Sequence, residues 1–256
     1  MSDEALRAAI ASVGVWYHVI ELAPGVLTPG VYDMRPHVGR FGLPARLDGL
    51  RVLDVGAGNG FFSFHFERLG AARVVAVDLP RITDHDAPAW YLERRRRELG
   101  EAKLTDLEHH ELHGGFEVAH RALGSRVERV LCRAVDLPGR LDDRFDLIFC
   151  CNVLIHHRDP VALAEALARL LAPEGLLVLA TPVDPSADAA YALLLGDLAR
   201  AAWWVPSPRA LADICRLGGF AQVEWIGSFP VPTTSEPDRA GIMGVVHARQ
   251  PQLPGG

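Results

Sequence analysis

The sequence predicts an α/β protein built on a doubly wound, mostly parallel, seven-stranded sheet, with an N-terminal lid segment. Three observations carry this. From Arg51 onward, strand-like and helix-like segments alternate, the pattern of parallel strands joined by crossover helices. Residues 51–78, RVLDVGAGNGFFSFHFERLGAARVVAVD, read as strand, glycine turn, helix and strand. Residue types that grip ligands, namely Asp54 with Gly56, then Asp78, Asp136 and Asn152, recur at the carboxyl ends of the predicted strands. Such sheets bind ligands at those ends.

Ser2 to Val13 is predicted as a short helix, with Ser2 or Asp3 as cap and Leu6, Ile10 and Val13 on one face. Trp16 to Pro36 has little amphipathic period and many turn formers, yet it gathers Trp16, Tyr17, His18, Asp33 and Arg35. That mixture predicts a lid over the mouth of a site. Val52 to Val55 is the first strand, Phe62, Phe66 and Leu69 mark the helix after the turn, Gly70 ends it, and Val74 to Val77 is the second strand. Leu79 to Trp90 is a loop holding Asp84, His85 and Asp86, followed by a helix from Trp90 to Leu99. Its run Glu93 to Glu98 places four arginines between glutamates at helical spacing, which predicts a solvated face.

His109 and His113 lie one helical turn apart, with His110 and Glu111 between them. No HExxH pattern is present and the local helix is predicted to end at Gly114, so no metal is assigned; the segment is read as a polar loop. Phe116 to Leu123 is a helix closed by Gly124. Arg129 to Asp136 is the third strand and its exit, Phe145 to Asn152 the fourth, and Leu176 to Thr181 the fifth, with a helix from Val161 to Leu171 opened by Pro160. Ala187 to Ala202 is predicted helical. Trp203 and Trp204 suit either a pocket wall or the core. Ser207 caps a helix to Leu217, and Phe220 to Ile226 with Gly241 to Ala248 form an antiparallel pair at one edge. The organisation is a helix and lid over residues 1–50, one domain over 51–249, and a frayed tail over 250–256.

The chain of 256 residues has room for one such domain, and its 49% hydrophobic and 23% charged content is that of a globular protein. A net charge of −6 and a pI of about 6.0 argue against a large phosphate-binding surface. The four cysteines, Cys132, Cys150, Cys151 and Cys215, form no CxxC and are expected as buried free thiols in a reducing cytosol. The acidic start, MSDEALRAAIASVG, lacks the basic flank of a signal peptide, and no apolar stretch is long enough to span a bilayer. The expectation is a cytoplasmic protein.

The glycine turn, GAGNG, has Phe61 where a dinucleotide GxGxxG site needs its third glycine. DVGAGNG followed by a strand ending in Asp resembles the first motif of class I S-adenosylmethionine (SAM) methyltransferases. A narrower likeness lies in WYHVIELAPGVLTPGVYDMRP, VLDVGAGNGFFSF, VLIHHRDP and WWVPSPRALADICRLGGF. Together these resemble the group around the bacterial tRNA wobble-uridine methyltransferase/carboxymethyltransferase, which includes small-molecule homologues. The tRNA enzymes carry a long region ahead of the catalytic domain, where about fifty residues stand here. They also have Tyr before the first histidine of the fourth-strand exit to help hold a carboxylated SAM, and Ile155 stands there in this chain.

The resemblance implies a Rossmann-like methyltransferase fold, ordinary SAM as cofactor and a small-molecule acceptor, with neither nucleic acid nor membrane as partner and a homodimer as assembly. The cofactor-binding candidates are Asp54, Gly56, Gly58, Gly60, Asp78 with Leu79, Asp136 and Asn152. Asp78 is placed to accept both ribose hydroxyls, and Asp136 to accept from the adenine amino group. Arg35 is a candidate partner for the methionine carboxylate or for an acidic acceptor. His156, ahead of His18, is the candidate base or acceptor orienter. The competing readings are tRNA modification, a SAM-binding protein without catalysis, and a dinucleotide oxidoreductase.

Overall fold

The central strands are buried almost without interruption, and successive side chains along them point alternately into two apolar layers, one on each face of the sheet. The computed structural model describes residues 2–186 and 188–252, apart from the side chains of Ile82, His110 and Glu111. Helix α1 (Asp3–Ser12) is capped by the Ser2 hydroxyl, which accepts from the Ala5 N–H at 3.3 Å. Strands β1 (Glu21–Ala23) and β2 (Val26–Leu27) pair as a small hairpin. Then come β3 (Arg51–Val55), α2 (Phe61–Arg68), β4 (Arg73–Asp78), α3 (Ala89–Leu99), α4 (Glu101–Leu107) and α5 (Gly114–Leu123). They lead to β5 (Glu128–Leu131), β6 (Phe145–Cys151), α6 (Pro160–Leu170) and β7 (Leu171–Pro182). The last elements are β8 (Ala192–Asp197), β9 (Ala202–Pro206), α7 (Pro208–Leu217), β10 (Phe220–Pro232) and β11 (Ala240–Pro251).

Among the described residues, seven strands form one sheet in the order β10-β11-β7-β6-β3-β4-β5. Neighbours from β7 to β5 run parallel, and β11 and β10 add the antiparallel edge pair that the sequence predicts. The chain winds outward from β3 through β4 to β5, then returns to lay β6 beside β3. The switch in winding direction therefore opens a crevice at the carboxyl ends of β3 and β6. Val52, Ala76, Phe149 and Val178 face one layer, and Leu53, Val75, Ile148 and Leu177 the other. In the first layer Phe62 packs on Phe149 with centroids 4.3 Å apart. Truncating the fully buried Phe149 to alanine would cost about 3–5 kcal/mol in lost burial and cavity formation.

The N-terminal segment joins that layer rather than standing off it. Trp16, Ile20, Leu22, Val26 and Met34 are buried in it, and the Trp16 indole donates to the Ile10 carbonyl at 3.0 Å. The four cysteines are free thiols.

Four local expectations are corrected. The predicted helix over 187–202 is a hairpin, β8 against β9, in its described part. Its Ala/Leu run favours helix locally, but Gly196 takes a left-handed φ of 62° and the indoles fix β9 from outside. Trp203 donates to the Asp86 carbonyl at 2.9 Å and Trp204 to the Arg158 carbonyl at 3.1 Å. The segment 108–115 is no loop: α4 continues through a π-helical stretch, Glu108–His113, into α5. A Cβ on Gly115 would lie 2.1 Å from Asn59 Nδ2, so the helix passes against the glycine turn only because no side chain is there. The third strand stops at Leu131, and Ala134–Gly139 form a 3₁₀ turn in place of its predicted exit. The tail is ordered further than expected: Gln250 and Pro251 belong to β11, and Gln252 N–H donates to the Gly219 carbonyl at 2.8 Å. Its last residues, 253–256, lie outside the described residues.

Candidate active site

Two cavities open at the carboxyl ends of β3, β4 and β6. The larger, about 240 Å³, is walled by the glycine turn, by Asp78 and Leu79 at the end of β4, and by Cys132 to Ala134. Asp84 to Asp86, Leu112, His156 and His157 close its other sides. The smaller, about 140 Å³, is lined by Tyr17, His18, Tyr32, Met34, Asp54, Phe62 and Phe149, and by residues of β10, β11 and the turn between them. Tyr17, Gly56, Cys151 and Asn152 belong to both walls.

The turn Gly56 to Gly60 folds as it does because Gly56, Gly58 and Gly60 all take positive φ, between 55° and 89°. A Cβ on Gly56 would meet Val153 Cγ2 at 2.2 Å, whereas one on Gly58 would meet nothing within 4 Å. Gly58 thus keeps the cavity wall open, and Gly56 lets the exit of β6 close onto the turn. Gly60 caps α2, lines neither cavity, and serves packing against Phe64 and Phe116.

Asp78 anchors the turn as well as facing the cavity. Its Oδ2 accepts from Gly58 N–H and its Oδ1 from Leu79 N–H, both at 2.8 Å. Burial raises its pKa, against the two backbone bonds, which favour the carboxylate. Asp54 is sealed at 2% exposure, accepts from the Ser63 hydroxyl, and lines the smaller cavity, not the larger. Burial pushes its carboxyl up to about 7. Asn152, at a left-handed φ of 58°, donates through Nδ2 to the Tyr17 hydroxyl at 2.7 Å.

The two candidate catalytic histidines lie in different cavities. His156 lines the larger one, and its Nδ1–H donates to the Ala201 carbonyl at 3.1 Å. A carbonyl can only accept, so the proton sits on Nδ1 and Nε2 keeps its lone pair. Burial lowers its pKa. His18 lines the smaller cavity, and its Nδ1 is buried without a partner among the described residues. Burial pushes its pKa down to about 4. A protonated His18 would carry an unpaired N–H in a sealed position, so this ring is better suited to donate from Nε2 than to take up a proton.

Arg35 and Asp136 are not brought to either cavity. Arg35 forms a two-pronged pair with Asp33, at 2.8 and 2.7 Å, and Asp136 stands exposed two residues past the cavity wall at Ala134. His113 is spoken for structurally: its Nε2 bonds the Pro80 carbonyl and its Nδ1 the Arg129 guanidinium, each at 3.0 Å. No group of three metal-ligating side chains forms among the described residues. Several wall residues escaped the sequence reading. Asn59, Tyr17, Leu112 and Arg133 sit inside segments that the sequence marks for other reasons, whereas Arg239 carries no local signal.

Residues 31–224 match the family described as "Methyltransferase domain". The chain belongs to this methyltransferase family. It is 31% identical over 204 residues to a tRNA U34 carboxymethyltransferase of Methylococcus capsulatus, covering 79% of this chain and 54% of that protein. It is 38% identical over 135 residues to a ubiquinone biosynthesis O-methyltransferase of Xanthomonas euvesicatoria pv. vesicatoria, covering 53% of this chain and 44% of that one. The chain thus spans about half the length of these curated relatives. Its fold superposes on the N-terminal domain of EvdMO1 solved with SAH bound, at a TM-score of 0.58 and 17% identity, with 98% of each chain covered. The sheet is the Rossmann-like methyltransferase fold that the sequence predicts.

SAM is the methyl donor of this family, and the larger cavity's chemistry fits it. A carboxylate at the end of β4 suits a vicinal diol, Leu79, Leu112 and Ala134 offer an apolar slot for a flat base, and the glycine turn presents main chain in place of side chains. No helix among the described residues is long and apolar enough to cross a membrane.

Proposed function

We propose that this methyltransferase transfers a methyl group from SAM to an oxygen or nitrogen of a small-molecule acceptor. In this reading the larger cavity holds the donor and the smaller one the acceptor. The observation that supports it is the shared wall, Tyr17, Gly56, Cys151 and Asn152, where the two cavities meet at the switch point of the sheet. SAM supplies an electrophilic methyl carbon on a sulfonium. Asp78 would hold the ribose hydroxyls, Leu79 would pack on the adenine, and the turn at Gly56 and Gly58 would give close approach to the amino-acid end.

The protein's remaining tasks are alignment, exclusion of water and management of one proton. Tyr17 and Asn152 brace the junction. His156, with its tautomer fixed by the Ala201 carbonyl, is the candidate to accept that proton from an acceptor group that reaches past the shared wall into the larger cavity, and His18, in the smaller cavity itself, to orient the acceptor through a donated hydrogen bond. The segment over 16–36 acts as a lid, since Tyr17, His18, Tyr32 and Met34 all come from it. Titration calorimetry with SAM, followed by a methyl-transfer assay against a metabolite panel scored by mass, tests the reading. Binding without transfer to any acceptor would favour a non-catalytic SAM-binding protein.

The likeness to a tRNA U34 carboxymethyltransferase favours a second reading, modification of a tRNA wobble uridine. It predicts tRNA binding whose affinity falls steeply with salt. The net charge of −6 and Ile155 in place of the family's tyrosine weigh toward the small molecule.

A further inference from the structure

The smaller cavity is walled mostly by rings and aliphatic groups, with Tyr17, Tyr32, Phe62, Phe149 and Met243 among them. Tyr17 and Tyr32 stand with ring centroids 5.1 Å apart. Such a wall selects a flat, apolar body through area and ring contacts. Two of its polar groups lack a partner among the described residues, the buried His18 Nδ1 and the Arg239 guanidinium. Arg239, exposed on the turn between β10 and β11, lines the cavity, and its guanidinium makes no ion pair or hydrogen bond with a described residue. Other arginines around the sheet are neutralised: Arg51 by Asp146, Arg73 by Glu128 and Asp143, Arg158 by Asp86. The cavity's own carboxyl does not fill this role, because Asp54 is committed to Ser63. A free guanidinium fork at the rim of an apolar slot is matched to a planar anion.

Resting on the reading of this cavity as the acceptor site, we propose that the acceptor is a flat, largely apolar molecule bearing a carboxylate, and that Arg239 holds this carboxylate at the cavity mouth. The ring lies among Tyr17, Tyr32 and Phe149, so Arg239 sets which compounds enter and in which direction they point. Arg239 is a specificity-determining residue here and takes no part in the proton's path.

The test uses the full chain saturated with S-adenosylhomocysteine and three probes of one skeleton: salicylate, salicylamide and 2-hydroxybenzylamine. Affinities are read by calorimetry or saturation-transfer NMR. Salicylate should bind about two- to fivefold more tightly than salicylamide, the range an exposed charge-assisted pair supports. Arg239→Ala should bring salicylate down to the level of salicylamide while leaving salicylamide where it was, and Arg239→Lys should keep part of the preference. Equal affinity for the acid and the amide, an unchanged preference in Arg239→Ala, or no binding of salicylate overturns the proposal. Preference for the amine also overturns it and moves recognition to Asp54. Titrating S-adenosylhomocysteine first separates the two levels. Failure to bind it breaks the methyltransferase-site reading, whereas tight binding without charge discrimination among the probes sinks this inference alone.

Discussion

Asn152 donates its side-chain N–H to the Tyr17 hydroxyl at 2.7 Å and so ties the carboxyl end of β6 to the N-terminal segment. The backbone N–H of Tyr17 donates in turn to Asn59 Oδ1 in the glycine turn. Three stretches far apart in sequence therefore meet where the two cavities join. The geometry has a conformational cost, since Asn152 sits at φ 58°, a region that asparagine tolerates better than other residues with a Cβ.

That cost separates two substitutions. Asn152→Gly removes the bond to Tyr17 but accepts the left-handed backbone, whereas Asn152→Ala removes the bond and keeps a Cβ in a strained position. The alanine variant should be less stable than the glycine variant by about 1 kcal/mol, before the glycine's greater unfolded-state entropy is subtracted. Tyr17→Phe should cost about 1–2 kcal/mol by leaving the Asn152 N–H unpaired. Urea unfolding measures all three, and an alanine variant more stable than the glycine one would contradict the strain argument.

Asp78 has two duties, and removing it should weaken SAM on both counts. Asp78→Ala loses the carboxylate for the ribose and releases Gly58 and Leu79, whose N–H groups it now holds at 2.8 Å. Affinity for SAM is expected to fall by about 1–3 kcal/mol. Asp78→Asn, which keeps one acceptor oxygen, should fall between the variant and the parent. Calorimetry decides, and an Asp78→Ala protein with parental affinity would remove the residue from the cofactor site.

Most of the fold was legible because its signals are local. The parallel block follows from short apolar runs separated by helical spacing, and Ser2, Asp159 and Ser207 cap their helices as small polar residues do. The hairpin at β8 and β9 was not legible. Its Ala/Leu run reads as helix, and what overrules it is the pair of indole bonds to Asp86 and Arg158, contacts 117 and 46 residues away in sequence. The site divides the same way. Gly56, Gly58, Asp78, Leu79 and Asn152 announce themselves by standing at strand ends, and all line the larger cavity. Arg35 stands away from both cavities, and sequence shows its charge but not its partner, here Asp33 two residues earlier. Arg239 could not be found at all, since only the turn between β10 and β11 carries it to the cavity.

Buried ionisable groups give the protein a pH signature of definite sign. His18, His85 and His157 are each pushed down to about 4 by burial, from an ordinary value of 6.5. Between pH 4 and 6.5 the unfolded chain takes up protons that these rings refuse, so they make stability fall as pH falls through that window. Asp54 acts the other way: burial raises it to about 7, so the folded protein keeps a proton there that the unfolded chain gives up. His156 is lowered by burial as well and Asp78 raised, so the lowered imidazoles outnumber the raised carboxyls and stability should rise with pH across this range. Asp54→Asn, which removes one opposing group, should steepen the rise. Unfolding midpoints in urea at a series of pH values would show it, and a stability that declines from pH 4 to 6.5 would contradict the burial of the imidazoles.

His156 and His18 can be told apart kinetically. The Ala201 carbonyl holds the His156 proton on Nδ1, leaving Nε2 free to accept, while His18 has no such support for a second proton. His156→Gln should therefore lower turnover by roughly a hundredfold with SAM affinity nearly unchanged, the signature of a lost proton acceptor. Burial lowers the His156 pKa below 6.5, so the parental rate should stay level above that pH and drop only under acidic conditions. His18→Asn, which keeps an N–H donor, should raise KM for the acceptor more than it lowers kcat. An amine acceptor that enters already deprotonated would bypass His156, and the variant's rate would then approach the parent's as pH rises. A His156→Gln enzyme that keeps the parental rate at every pH would leave the imidazole with only its structural bond to Ala201, and proton removal would have to be assigned to solvent.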